Sequence, residues 1–118
     1  MTEDAKITVR FQQVGFHCWP GAKGVRAYLA QRHRHVFHVD VATWVSHDDR
    51  EIEFHDLKDE ATAAFMLLGN AEGDMGAMSC EVMARALGEL LATQHSRAFE
   101  VTVWEDLEVG STVLTPAP

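Results

Sequence analysis

Two segments of the chain alternate apolar and polar residues with a period of two, and histidines lie at an end of each. In residues 6–19 the odd-numbered positions are mainly apolar and lead to His17, and in residues 33–46 they begin with His33 and His35. Side chains in a strand point alternately to opposite faces, so this period predicts a strand with one buried face. We therefore predict two strands that carry the three histidines on their apolar faces.

The remaining segments predict further strands around a helical block. A turn at residues 47–50 is followed by a short strand at 51–55, which would complete a hairpin. Asp56 is the expected N-cap of a helix that runs to about residue 68, and Ser79 is the expected N-cap of a second helix. Strands are predicted over residues 97–105 and 110–115. This order predicts an α+β fold with an antiparallel sheet, and 118 residues suit one domain over residues 1–118.

Composition restricts the partners and the compartment. A net charge of −8 argues against non-specific binding to nucleic acid, which requires a basic surface. No apolar run approaches the roughly 18 residues of a membrane span, and residues 1–6 are too polar for a secretory signal. Cys18 and Cys80 are far apart in the sequence, so we expect free thiols in the cytoplasm.

The histidines form a candidate metal site. His33 and His35, two residues apart on a strand, point to the same face, and imidazole nitrogens are common zinc ligands. Three protein ligands would leave a fourth position open. Glu105 lies on the apolar face of its predicted strand and could act nearby as a substrate anchor. The alternative is that the histidines are half-buried polar residues of strands and that Glu105 is a solvated carboxylate.

Several short motifs follow one another along residues 7–113. They are Gly15-Phe16-His17, His33-Arg34-His35-Val36-Phe37, Glu53-Phe54-His55-Asp56-Leu57-Lys58, Ser79-Cys80-Glu81-Val82-Met83-Ala84 and Val103-Trp104-Glu105-Asp106, followed by Gly110. Each motif alone is weak, but together and in this order they resemble the 6-pyruvoyltetrahydropterin synthase family. That family includes the bacterial 6-carboxytetrahydropterin synthases.

The resemblance implies a T-fold, in which an antiparallel four-stranded sheet carries two helices between its second and third main strands. Subunits of this fold join edge to edge into a barrel, as a homotrimer or a homohexamer. The resemblance also implies that His17, His33 and His35 hold zinc and that Glu105 binds the pyrimidine-like edge of a pterin. The implied activity is a zinc-dependent lyase or synthase acting on dihydroneopterin triphosphate or a related pterin, with a role in queuosine or other 7-deazaguanine biosynthesis as one possibility.

The chain differs from the family at the residues that transfer protons in the family enzymes. Family enzymes usually carry a cysteine shortly before H-x-H and an L-D-H element after the first helix, and residues 28–32 and 67–74 contain neither. Arg34 also replaces the usual glycine between the two histidines. Cys18 and His55 are the candidate catalytic replacements, although Cys18 would face away from His17 in a continuing strand. The alternative function is a non-catalytic T-fold protein that binds a pterin or purine-like ligand or serves as an assembly.

Overall fold

A computed structural model describes residues 4–118 and shows an α+β fold built on one antiparallel sheet. Residues 1–3 of the predicted domain lie outside this described part. The strands lie in the order β1-β2-β3-β4, and both helices come between the second and third strands, as predicted. The elements are β1 Ala5–His17, β2 His33–Val45, α1 Phe54–Met66, α2 Cys80–His95, β3 Phe99–Glu105 and β4 Val109–Thr115, with a short 3-10 helix at Gly24–Ala30.

The apolar face of the sheet packs against the two helices. Burial along β2 confirms the predicted alternation, since Phe37, Val39 and Val41 are fully buried. Phe37 also contacts Phe65 of α1 edge to face, with ring centroids 6.3 Å apart. The Phe37 ring also lies 5.4 Å from the ring of His17, centroid to centroid. The core therefore extends directly into the base of the histidine cluster.

The segment before α1 differs from the prediction. Residues 51–53 form no strand, and α1 begins at Phe54 with Glu53, not Asp56, as its N-cap. The Glu53 carboxylate accepts hydrogen bonds from the backbone N–H groups of His55 and Asp56, at 2.9 and 3.1 Å. Asp56 lies in the first turn, where the helix dipole favours a negative charge.

The cause of this difference lies in Glu51. Its carboxylate accepts hydrogen bonds from the backbone and the hydroxyl of Ser46 and from Arg97. These contacts hold residues 46–53 as a closed loop, so the segment does not return as a strand. The second helix begins as predicted, because the Ser79 hydroxyl accepts a hydrogen bond from the Val82 N–H at 3.1 Å.

The loop between α1 and α2 docks on the outer edge of β1 at its histidine end. The Phe16 N–H donates to the Gly73 carbonyl at 2.9 Å, and the Met75 N–H donates to the Phe16 carbonyl at 2.7 Å. Gly15 permits this approach, because a Cβ there would lie 2.9 Å from the Phe37 ring and 3.0 Å from the Gly73 oxygen. The loop therefore reaches the end of β1 at which His17 lies.

Within residues 4–118, neither helix is both long and apolar enough to cross a membrane.

Candidate metal centre

The three histidines meet at one end of the β1–β2 pair. His17, the last residue of β1, lies opposite His33, the first residue of β2, and His35 follows on the same face. The ring centroids are 4.6 to 5.1 Å apart. One ligand atom from each ring lies within 4.8 Å of the others. The structure thus brings together the residues that the strand pattern placed on one face.

Each imidazole is fixed through its Nδ1 atom. Main-chain carbonyl and carboxylate oxygens can only accept hydrogen bonds, so each Nδ1 carries a proton and Nε2 is the ring atom that is left for a ligand. The three contacts are His17 Nδ1 with the Met78 carbonyl at 2.9 Å, His33 Nδ1 with the Gln31 carbonyl at 2.8 Å and His35 Nδ1 with Asp106 Oδ2 at 2.7 Å.

The Nε2 atoms of His17 and His35 are buried and make no hydrogen bond. Most buried polar atoms in proteins have such a partner, so two unpartnered nitrogens in one cluster need an explanation. Histidines that bind metals donate their other ring N–H to a carbonyl or a carboxylate, and all three rings do so here. The three residues could therefore hold a metal ion through Nε2.

Burial favours the neutral imidazole at His17, and a carboxylate orients His35. Burial lowers the pKa of His17 below its ordinary value of 6.5, so this ring is neutral at neutral pH, as a metal ligand must be. The hydrogen bond from His35, together with one from the Val36 N–H, lowers the pKa of Asp106. Asp106 is therefore an anion that orients His35.

Glu105 closes one side of the cluster. It is the last residue of β3 and lies opposite Phe37 in β2. One carboxylate oxygen is 3.1 Å from His17 Nε2, and the other is 3.7 Å from His35 Nε2. The Cys80 thiol lies 3.6 Å from the first of these oxygens. Burial and the negative charge of Glu105 raise the pKa of Cys80 to about 12, so this cysteine is a protonated thiol at neutral pH.

A cavity of about 490 Å³ opens beside the histidines. Its volume falls in the usual range for small-molecule sites. A larger and shallower depression of about 670 Å³, near Arg10 and Lys58, contains none of the metal-site residues. The lining of the histidine cavity includes His17, His33, Glu105, Cys18, Trp19 and Cys80.

The two candidate catalytic residues lie in different places. Because β1 ends at His17, Cys18 no longer follows the strand alternation, and it lines the cavity while half-buried. His55 is exposed in the first turn of α1 and does not line the cavity. The structure therefore brings Cys18, but not His55, to the candidate site.

Sequence reasoning missed the groups that fix the imidazoles. Asp106 gave a signal, since it directly follows Glu105 in the last motif, but its contact with His35 requires knowledge of how β3 ends. The carbonyls of Gln31 and Met78 belong to the main chain, so no residue type identifies them.

Comparison with known proteins assigns no family: no family model matches the sequence, and no curated protein matches it. The geometry of the histidine cluster and the order of the sequence motifs are therefore the features of the chain that indicate its function.

Proposed function

We propose that the chain is a zinc-dependent pterin-processing lyase or synthase, similar to the 6-pyruvoyl- and 6-carboxytetrahydropterin synthases. Its substrate would be dihydroneopterin triphosphate or a related pterin. The observation that carries this proposal is the convergence of three imidazole Nε2 atoms, each with its Nδ1 held by an oxygen acceptor. An all-imidazole donor set with three members is typical of catalytic zinc sites.

In this proposal His17, His33 and His35 hold the ion, which supplies Lewis-acid polarisation of a substrate oxygen. The protein supplies the rest of the site. Glu105 accepts hydrogen bonds from the adjacent ring N–H and amino group of the pterin, a planar edge that suits a two-oxygen acceptor. Trp19 lines the same cavity and offers a flat wall for the ring system.

Proton transfer is the step for which the chain provides the fewest candidates. Cys80 is unsuited to act as a base, because its pKa is raised to about 12. Cys18 is the other cysteine and lines the cavity beside His17. We therefore assign Cys18 the role of proton-transfer group.

The proposal includes assembly into the T-fold barrel. Within residues 4–118, β1 and β4 are the outer strands, and β4 has no neighbour on its outer edge. Exposed strand edges pair readily with other chains, and closure into a ring removes them. We propose a cytoplasmic homotrimer or homohexamer in which β1 of one subunit pairs with β4 of the next.

A non-catalytic T-fold protein that binds a pterin or purine-like ligand is the second candidate function. The observation that favours it is the scarcity of proton-transfer groups, since neither His55 nor a thiolate at Cys80 is available in the cavity. The two candidates share a ligand site and differ in turnover.

The test is an assay of the zinc-loaded protein with dihydroneopterin triphosphate, which measures released triphosphate and the pterin products by chromatography. We expect turnover by the wild type and none by His33→Ala. Cys18→Ser should lose about 10²- to 10⁴-fold in rate, as is usual when a general acid or base is removed. Pterin binding without turnover would support the non-catalytic alternative, and neither binding nor turnover would contradict both candidates.

A further inference from the structure

The Glu105 carboxylate lies beside the Nε2 atoms of His17 and His35, and neither of these atoms forms a hydrogen bond with it. His17 Nδ1 bonds the Met78 carbonyl and is therefore the protonated nitrogen, so Nε2 of the neutral ring carries a lone pair. A carboxylate oxygen nevertheless lies 3.1 Å from that atom, and no hydrogen bond joins them. Two lone pairs in direct contact repel each other. The arrangement becomes favourable when a cation lies between them.

The distances agree with a shared cation. Zinc binds imidazole nitrogen and carboxylate oxygen at about 2.0–2.2 Å, so neighbouring ligand atoms of a tetrahedral site lie about 3.4 Å apart. The two Glu105 oxygens lie 3.1 Å from His17 Nε2 and 3.7 Å from His35 Nε2. These values lie on either side of the tetrahedral separation. The ligand atoms that all lie within 4.8 Å of one another belong to the three histidines alone, so binding by all four residues requires the Glu105 carboxylate to shift towards the ion.

The charge of Glu105 also lacks a permanent counter-ion. Within residues 4–118 its ion-pair contacts are with His17 and His35, and no lysine or arginine contributes one. The remaining contact is the Cys80 thiol at 3.6 Å, a weak donor. Three-quarters of the Glu105 side chain is nevertheless removed from solvent. A carboxylate buried to this extent is normally paired with a cation or bound to a metal.

We infer that Glu105 is the fourth metal ligand in the substrate-free protein, so that the site is closed by three imidazoles and one carboxylate. This inference rests on the proposed metal site and is independent of the pterin chemistry. It adds a requirement for the substrate: the ligand must offer an oxygen donor to the metal in place of the carboxylate. A ligand with neighbouring N–H groups would then receive the released Glu105.

The experiment uses the full chain with Co²⁺ as a spectroscopic probe and Zn²⁺ in competition with a chromophoric chelator. The variants are Glu105→Gln, Glu105→Ala and the matched control Glu81→Gln. Glu81 lines the same cavity, but its carboxylate accepts a hydrogen bond from Ser111 at 2.6 Å and takes no part in the histidine cluster.

We expect Glu105→Gln to weaken zinc binding by at least about tenfold, in the range seen when groups around a metal site are changed. Its Co²⁺ visible spectrum should differ from that of the wild type, whereas Glu81→Gln should match the wild type in both readouts. Added acetate should restore a wild-type-like spectrum in Glu105→Ala, because it supplies the missing carboxylate, and should leave the wild type unchanged.

Unchanged zinc affinity and an unchanged Co²⁺ spectrum in Glu105→Gln would overturn the role of Glu105 and leave the three-histidine site intact. An absence of metal binding in the wild type would overturn both this inference and the proposed function. The two failures are thus distinguishable from one set of titrations.

Discussion

Glu51 and Glu105 are carboxylates near opposite ends of the β1–β2 pair, and their surroundings differ in a way that separates structure from function. Glu51 accepts hydrogen bonds from the Ser46 N–H, the Ser46 hydroxyl and Arg97, at 2.6 to 2.9 Å. These bonds lower its pKa from 4.5 to about 2. Glu105 has one thiol donor and two ring nitrogens as neighbours, and neither ring nitrogen forms a hydrogen bond with it.

The difference shows which of the two carboxylates the chain satisfies by itself, since Glu51 has its donors even though Nε of the paired Arg97 is buried without a partner. The chain supplies Glu51 with its donors and its positive charge, so that cluster serves to close a loop. At the histidine end, the chain fixes each ring through Nδ1 and leaves the buried Nε2 atoms of His17 and His35 without partners. An unsatisfied polar cluster within a rigid frame is the arrangement expected where a ligand from outside completes the structure.

The largest effect that tests this comparison is expected at Asp106. In Asp106→Asn the side chain keeps one acceptor oxygen for two donors, the His35 ring and the Val36 N–H. We expect zinc affinity to fall about 10- to 100-fold, as is typical when a group that orients a ligand is lost. Competition titrations measure this, with Glu51→Gln as the control that retains wild-type affinity. Equal losses in both variants would show that the two ends are not independent.

An intermediate effect is expected at Glu51, in stability and not in metal affinity. Because the folded-state pKa lies below the ordinary value of 4.5, the contribution of Glu51 to stability is complete above about pH 4.5 and declines as the pH falls towards about 2. Thermal melts of the wild type and Glu51→Gln should therefore differ most at neutral pH and converge at low pH. A difference that stays constant from pH 7 to pH 2 would contradict this account of the loop.

The smallest effect is expected at Glu105 in the metal-free protein. Here the substitution should stabilise the fold, whereas the substitution of Glu51 should destabilise it. In Glu105→Gln the new amide can donate a hydrogen bond to the His17 Nε2 lone pair, which lies 3.1 Å from the present carboxylate oxygen. In the presence of a chelator we expect the free energy of unfolding to rise by about 1 kcal/mol, the usual net value of such a bond. Urea titrations measure it. A clear loss of stability would mean that Glu105 already has a satisfactory partner within the chain.

The sequence predicted the part of the fold that depends on local periodicity. Alternation along β1 and β2 placed His17, His33 and His35 on one face, and this was confirmed because a regular strand fixes the direction of each side chain. The α+β class and the position of both helices were confirmed for the same reason, since each element carries its own pattern.

What could not be predicted depends on contacts between distant segments. The Glu51 carboxylate accepts a hydrogen bond from Arg97, and residues 51–55 form a loop and the start of α1 instead of the expected strand. The Met78 carbonyl reaches His17 only because the preceding loop docks on β1. Cys18 enters the cavity because β1 ends one residue before it. None of these features has a signature in the neighbouring sequence.

The most direct test of a metal site at the histidine end is the zinc content of untagged protein, measured by mass spectrometry of the metal after exhaustive dialysis. The variants are His33→Ala and the matched control His38→Ala, which removes an imidazole from the other face of β2. We predict about one zinc ion per chain in the wild type and in His38→Ala, and essentially none in His33→Ala. Metal-free wild-type protein that also fails to take up added zinc would contradict the account.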